Sequence, residues 1–424
     1  MFHLKKLTRE GFKREIVAGT TSFFAISYII MVNTVILSQA GMPKELTIFG
    51  TIFISIIGSI LMGLIADAPI VLTTGMGVNS FFTYTLVLSL GLTWQEALAV
   101  SFCSGVIYLI VAFTRLSKLF AEVVPGTLKT GITVGIGFFL VLIGLEKGQL
   151  ILRGEHTFTQ LAPLNNSLTL LTLFSLVLTV ILFLKGVQGS FFIGIVVVTL
   201  IANLLGLVNP TEHFSLSSLK NISQIFMQLD FHSFFTKSFL LGVFALSMIL
   251  IFESMGILKG LMPEADEDKY LRAYRVTGVV TLLSSLFGTS PTIAAAESAT
   301  GIEEGGKTGW TSITSGICFF LALLALPLLS YIPDSALAPA IIITGFLMIQ
   351  QIKTLDFEDF SDYFPAMLMI VLIPFTMNIS DGMAFGFVAY PLTKWIAGKK
   401  KELSFPMYLI SGLFLVYLIV NVLI

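Results

Sequence analysis

Charge is scarce in this chain: of 424 residues only 12% are Asp, Glu, Lys or Arg, 55% are hydrophobic, and the net charge is −1. A soluble domain carries about 25% charged residues, so an ordinary cytosolic enzyme is excluded. No basic tract exceeds a few residues, and nucleic acid is not an expected partner. Cysteine is scarcer still. Cys103 and Cys318 are the only two, and both fall in apolar stretches, where they read as small buried side chains rather than a disulfide framework. The histidines His3, His156, His213 and His232 all lie outside those stretches, which argues against a metal site or a proton relay built on histidine. Gly301-Ile302-Glu303-Glu304-Gly305-Gly306-Lys307-Thr308 has the letters of a Gly-x4-Gly-Lys-Thr phosphate loop, but it carries two glutamates where a phosphate would sit and adjoins an apolar span, so ATP-driven pumping is not expected and no cofactor is implied.

Apolar sequence is what the chain has in quantity, with 38 Phe and 36 Gly. It falls in blocks of about 20 residues, enough at 1.5 Å per residue to cross a roughly 30 Å hydrocarbon core. The pattern predicts an all-α polytopic membrane protein. Spans are expected near 16–40, 47–66, 69–90, 94–113, 125–145, 167–186 and 190–208, then a polar linker at 209–236. A second series follows near 237–260, 269–288, 291–304, 307–330, 335–351, 363–378 and 380–397, with an extra hydrophobic helix at 404–424. Pro374 leaves open whether 363–397 makes two crossings or one bent hairpin. Residues 1–15 form a basic N-terminus that runs into the first span without a cleavage site, so that span is expected to be retained.

Lys and Arg favour a cytoplasmic N-terminus. Arg115, Lys118, Lys129, Lys185, Lys259, Lys269, Arg272, Arg275, Lys307, Lys353 and Lys399–Lys401 share its side, whereas Lys44, Lys147, Arg153 and Lys220 are the main opposing residues. Seven spans, a linker and seven more make an odd-numbered repeat, so the second half is expected to be inverted relative to the first. Pro69 and Pro291 open the third block of each half, roughly 220 residues apart, and both third blocks are interrupted by small and polar residues, the best sequence pointer to a transporter site.

The first interruption, Ala68-Pro69-Ile70-Val71-Leu72-Thr73-Thr74-Gly75-Met76-Gly77-Val78-Asn79-Ser80, suits extended backbone, with a half-helix from Val78 and Asn79 in its first turn. The second runs from Phe287 to Gly301. Here Ser290 followed by Pro291 reads as a helix start, placing Glu297 about two turns in. Two such half-helices would aim their N-termini at one point near the midplane. Glu253 and Glu297 are the acids well inside spans, where a charge costs roughly 2.5–3.5 kcal/mol on insertion scales. No Lys or Arg lies mid-span to neutralise them. A carboxyl that binds and loses a proton is what proton-coupled transport requires; the alternative is a permanently protonated group bonding a neighbouring helix. Gly131 and Gly135 read as helix packing, and Glu303, Glu304 and Lys307 as a solvated turn. Phe23, Phe24, Tyr28, Phe81, Phe82 and Tyr84 could stack on a flat ring, although core or lipid packing is the default for each.

Three stretches carry a resemblance: Thr21 to Ile30, Thr74-Gly75-Met76-Gly77-Val78-Asn79-Ser80-Phe81-Phe82-Thr83-Tyr84, and Gly288-Thr289-Ser290 through Glu297-Ser298-Ala299 to Glu304-Gly305-Gly306-Lys307-Thr308-Gly309. They resemble the AzgA-like purine-permease branch of the nucleobase–cation symporter-2 family, and the similarity covers nearly the whole chain. The resemblance implies about 14 transmembrane helices in a 7+7 inverted repeat. A core domain (16–113 and 237–330) would move against a gate domain (125–208 and 335–397), with half-helices in the third and tenth spans. It implies that Glu297 hydrogen-bonds the base, that Glu253 binds substrate or proton, and that Asn79 orients the third helix or contacts the ring. Thr289 and Ser290 would supply backbone donors, and Met76, Gly77 and Phe24 would complete the pocket. The branch usually has Asp at the position of Glu253, an acid at that of Leu250 and Pro at that of Thr74. The uracil-transporting relatives have His where Ile257 stands.

The expectation is a secondary transporter that takes up purine bases (hypoxanthine, guanine or adenine) with a proton by alternating access, multi-pass in the cell membrane and embedded in lipid. A homodimer through the gate helices stays open. A uracil or xanthine carrier of the same superfamily and a sulfate-permease-like anion transporter of the same fold are the alternatives. A membrane-embedded enzyme has no histidine cluster, metal motif or Ser/His pair to support it.

Overall fold

A computed structural model of the chain describes residues 8–117, 123–152, 154, 159–187, 189–208 and 216–423. Lys5, Lys6, Lys118, Arg153, His3, His156 and His213 lie outside the described residues. Helix α1 (Arg9–Ile26) and α2 (Ile29–Gln39) form one span with a turn at Ser27–Tyr28. Helix α3 (Lys44–Leu61) runs on through a π-helical turn at Met62–Ala66. Strand β1 (Leu72–Thr74) leads into α4 (Met76–Ser80), which continues as π-helix to Ser89. Then come α5 (Trp94–Phe113), α6 (Gly126–Lys147), the short hairpin β2 (Ile151–Leu152) and β3 (Gln160–Leu161), α7 (Ser167–Leu184) and α8 (Ser190–Leu204). The second half has α9 (Lys237–Leu261), α10 (Glu267–Leu286), β4 (Thr292–Ala294), α11 (Ser298–Glu303), α12 (Gly309–Ala322) and α13 (Leu326–Leu329). It closes with α14 (Asp334–Ile349), α15 (Phe360–Thr376), α16 (Ile379–Ile396) and α17 (Phe405–Leu423).

Among the described residues eight helices are long and apolar enough to cross a membrane. Their ends obey ordinary capping. Thr93 and Glu96 make a reciprocal capping box at the start of α5, which satisfies two otherwise orphan donors. Residues 363–397 form two helices: Met377 turns into the left-handed region at φ 52° and Asn378 caps α16.

The solvation pattern is that of a protein in lipid. On α7, Thr169, Thr172, Ser175 and Thr179 are buried, while Leu170, Phe174, Val177 and Ile181 are exposed. Both sets recur at three- and four-residue steps, so each lines one helix face. The polar face turns inward and the apolar face outward, the reverse of a soluble helix.

Two sets of helices pack among themselves. One joins α1, α3 and α12 and, through β1 and β4, the α5–α9–α10 group; the other joins α6, α14, α15 and α16. Gly131 and Gly135 lie against Ala366 and Ile373 of α15, and Gly137 meets the Gly345 carbonyl of α14, where an added Cβ would come within 2.8 Å of the oxygen. The small residues let backbones approach closely.

Candidate substrate site

Strands β1 and β4 are the centre of the first set. They pair antiparallel with Leu72 opposite Ala294, Thr73 opposite Ile293 and Thr74 opposite Thr292. Extended backbone at membrane depth must find internal partners, and neighbouring hydroxyls add to the ladder. Thr281 Oγ1 donates to the Thr292 carbonyl at 2.6 Å, the Val71 N–H donates to Ser298 Oγ at 3.0 Å, and Ser55 and Thr73 hydroxyls lie 2.7 Å apart. The Ala295 N–H donates to the Val71 carbonyl at 2.9 Å.

The reading of Ser290–Pro291 as a helix start is corrected here. Pro291 is followed by β4, not by helix, and Glu297 is the N-cap residue of the six-residue α11 rather than a residue two turns in. A proline's fixed φ suits extended backbone as well as a first helical turn, and the free edge of β1 selects the extended form. In the first interruption the helix begins at Met76, two residues earlier than expected, with Asn79 in its first turn.

Glu297 accepts a hydrogen bond from the Tyr28 hydroxyl at 2.5 Å. It is half-buried and its neighbour Ala296 is exposed, whereas Ala295 and Ser298 are buried, so open space adjoins the carboxylate. Glu253 projects from α9, which packs on α4, β4 and α11. Its carboxylate lies over the start of α4: a Cβ on Gly77 would sit 3.4 Å from Glu253 Oε1 and 3.0 Å from Ile136 of α6. The other oxygen, Oε2, is buried without a hydrogen-bond partner among the described residues. A Cβ on Gly75 would press on the Ile293 side chain at 2.6 Å, so a larger residue here would displace that side chain of β4.

Asn79, Thr289 and Ser290 are fully buried and form a network behind the carboxylates. Ser290 Oγ donates to Asn79 Oδ1 at 2.5 Å and contacts Asn33 Oδ1 at 3.2 Å, while Asn33 Nδ2 donates to Thr51 at 2.8 Å and to Thr289 Oγ1 at 3.0 Å. The Thr289 N–H is engaged by the Ser284 carbonyl at 3.1 Å. Asn79 Nδ2 has no partner among the described residues. Met76 is buried at the first position of α4. Phe24 is exposed and packs on Phe192 of α8, with ring centroids 5.3 Å apart, one turn before Tyr28.

Sequence reasoning missed Asn33 and the hydroxyl of Tyr28. An amide mid-span was the available signal for the first, since a buried amide must find partners; for the second it was a tyrosine among phenylalanines, whose O–H needs a partner when buried. Glu15, expected in a polar tail, is 2% exposed. It accepts from the Lys307 and Thr308 N–H groups at 3.1 and 3.3 Å, and Asp67 accepts from the Gly309 N–H at 2.8 Å. Two acids thus neutralise the N-terminal end of α12.

Two cavities, of about 330 and 470 Å³, lie away from Glu253 and Glu297. They run along the seam where Thr34, Gln39, Lys44 and Tyr84 face Lys147, Asp334 and Thr376.

A multi-span, mostly helical chain with two strands paired at its centre beside intramembrane acids has the fold of a membrane transporter. It superposes on the transmembrane domain of the cyanobacterial bicarbonate transporter BicA with a TM-score of 0.65 at 16% identity, covering 90% of this chain and 98% of that one. Murine Slc26a9, an anion transporter in its inward-facing state, aligns with a TM-score of 0.68 at 12% identity over 92% of this chain and 70% of the other. At these identities the likeness is one of fold. The xanthine/uracil permease model, described as Permease family, matches residues 13–422, and the chain belongs to that nucleobase:cation symporter-2 family. The nucleobase transporter PlAzg2 of Paenibacillus larvae is 38% identical over 91% of this chain and 78% of its own length. The guanine/hypoxanthine permease PbuO of Bacillus subtilis is 34% identical over 99% of this chain and 100% of its own.

Proposed function

We propose that the protein is a secondary transporter of purine nucleobases that couples uptake to protons by alternating access. The observation that carries this reading is the placement of Glu253 and Glu297 beside paired strands from the two halves of the chain. A nucleobase presents ring N–H donors next to carbonyl acceptors. Carboxylates accept from the donors, and a group that alternates between proton and substrate links the two. The names of the relatives, which include guanine/hypoxanthine and adenine permeases, point to the same substrate class.

The finer architecture belongs to this proposal. Fourteen spans in a 7+7 inverted repeat account for the antiparallel pairing of β1 with β4, since an in-plane two-fold axis brings equivalent segments together head to tail. The interrupted third and tenth spans then act as half-helices. The α1–α5 and α9–α12 helices form the core, and α6–α8 with α14–α16 form the gate. The N-terminus is cytoplasmic in the cell membrane. Within this frame Glu297 and Glu253 hold base and proton, Gly77 and Met76 form the floor, and Asn79, Thr289 and Ser290 brace α4 from behind. Phe24 flanks the approach.

Thermal-shift screening of purified protein tests the reading. Hypoxanthine, guanine or adenine should raise the melting temperature with occupancy, while pyrimidines, sulfate, chloride and bicarbonate leave it unchanged. A shift from the anions alone would replace the purine reading with an anion carrier of the same fold.

A further inference from the structure

Tyr28 lies at the turn between α1 and α2 and is 2% exposed. Its hydroxyl donates to Glu297 Oε1 at 2.5 Å and lies 3.0 Å from Thr344 Oγ1. A phenol has one proton. With that proton on the carboxylate, the threonine must donate to the phenol oxygen, giving the ordered chain Thr344 to Tyr28 to Glu297. Thr344 belongs to α14, a member of the second helix set, whereas Tyr28 and Glu297 belong to the first. Helices α2 and α14 touch, and this hydrogen bond joins the two sets there. Phe191 of α8 closes on the Tyr28 ring edge-on at 5.3 Å, which fixes the ring and leaves the hydroxyl little freedom.

We propose that Tyr28 and Thr344 form a relay that sets the orientation of the Glu297 carboxylate according to the position of α14, so that affinity for the base depends on how the two helix sets are seated. Tyr28 is a positioning residue. The Glu297 oxygen it engages is held, and the open space beside Ala296 is left for the ligand. When α14 moves away, Tyr28 loses its second partner and the carboxylate its fixed direction. Closure and binding are then linked by a differential contact, which a conformational coupling requires. The relay rests on the purine-transport reading above.

The test is a double-mutant cycle read by hypoxanthine and adenine binding to purified protein. Tyr28→Phe removes the hydroxyl and keeps the ring, and should weaken binding about tenfold, the scale of a hydrogen bond to a charged group. Thr344→Val should weaken it about threefold, Thr344→Ser should restore the wild-type value, and the double variant should match Tyr28→Phe alone, because Thr344 acts only through Tyr28. Additive losses, or a Thr344→Val that binds like wild type, would overturn the relay while leaving the functional reading intact. If Tyr28→Phe fails to fold, the Val and Ser variants at 344 decide by themselves. Wild-type protein that binds neither of these bases nor guanine overturns the functional reading, and the relay with it.

Discussion

Glu253 and Glu297 are identical side chains in unlike surroundings. One has an oxygen with no partner among the described residues, beside the α4 backbone, and the other is held by a phenol. If Glu297 pairs with the base, Glu297→Gln abolishes the purine-dependent rise in melting temperature, and a full rise in that variant removes the residue from the site. If Glu253 carries the proton, Glu253→Gln retains purine binding but takes up base at the same rate with and without an imposed pH gradient, measured in proteoliposomes. The two acids were legible in the sequence because a charge in an apolar run stands out against its neighbours. The partners of Tyr28, Asn33 and Ser290 were not. Each lies at least two hundred residues away along the chain apart from Thr51, and no local pattern encodes a contact that only the fold creates.

At the scale of elements, helices such as 94–113 and 237–260 were read to within a residue or two, because a hydrocarbon slab imposes both length and composition. The failure at Pro291 has a physical reason. Ser-Pro is compatible with a helix start and with a strand, and the choice falls to the partner strand. Helix α12 offers a test of close approach. Backbone of Gly309 abuts the Gly63 carbonyl in the π-helical turn that follows α3, and backbone cannot swing aside as a side chain can. Gly309→Ala should therefore cost about 1–3 kcal/mol of overpacking, read as a melting temperature several degrees lower, whereas Gly256→Ala, which meets nothing within 4 Å, should leave it unchanged or raise it slightly, because alanine favours a helix interior.

The ends of α15 and α16 are tied by charge. Lys394, 1% exposed, lies 3.2 Å from Asp359, 3.1 Å from Asp362 and 2.6 Å from Glu402, and Lys399 reaches Asp359 at 2.6 Å. The Lys399 ammonium, then the Ser361 hydroxyl and Lys394, hold the Asp359 carboxyl well below its ordinary range. A depressed carboxyl stabilises the fold above its unfolded value and loses that contribution as pH falls towards the folded one. Asp359→Asn should thus melt earlier than wild type at pH 7, and the gap should narrow progressively as pH falls below about 4. A gap that stays constant into acid would show that Asp359 contributes by shape and not by charge.

For the whole molecule the proposed function predicts proton-driven accumulation. Proteoliposomes with an acidic exterior should concentrate labelled hypoxanthine, and a protonophore should reduce uptake to equilibration. Accumulation that persists after the gradient collapses would remove the coupling from the mechanism.

The pairing of Leu72–Thr74 with Thr292–Ala294 also bears on how the protein is made. A strand edge facing lipid costs several kcal/mol for each orphan group, yet roughly 220 residues separate the two partners, so the ribosome delivers the first long before the second. During that interval the nascent half must shelter its unpaired backbone in translocon, chaperone or water. Completion of the strand pair is consequently a late event in biogenesis, since it waits for the second half of the chain.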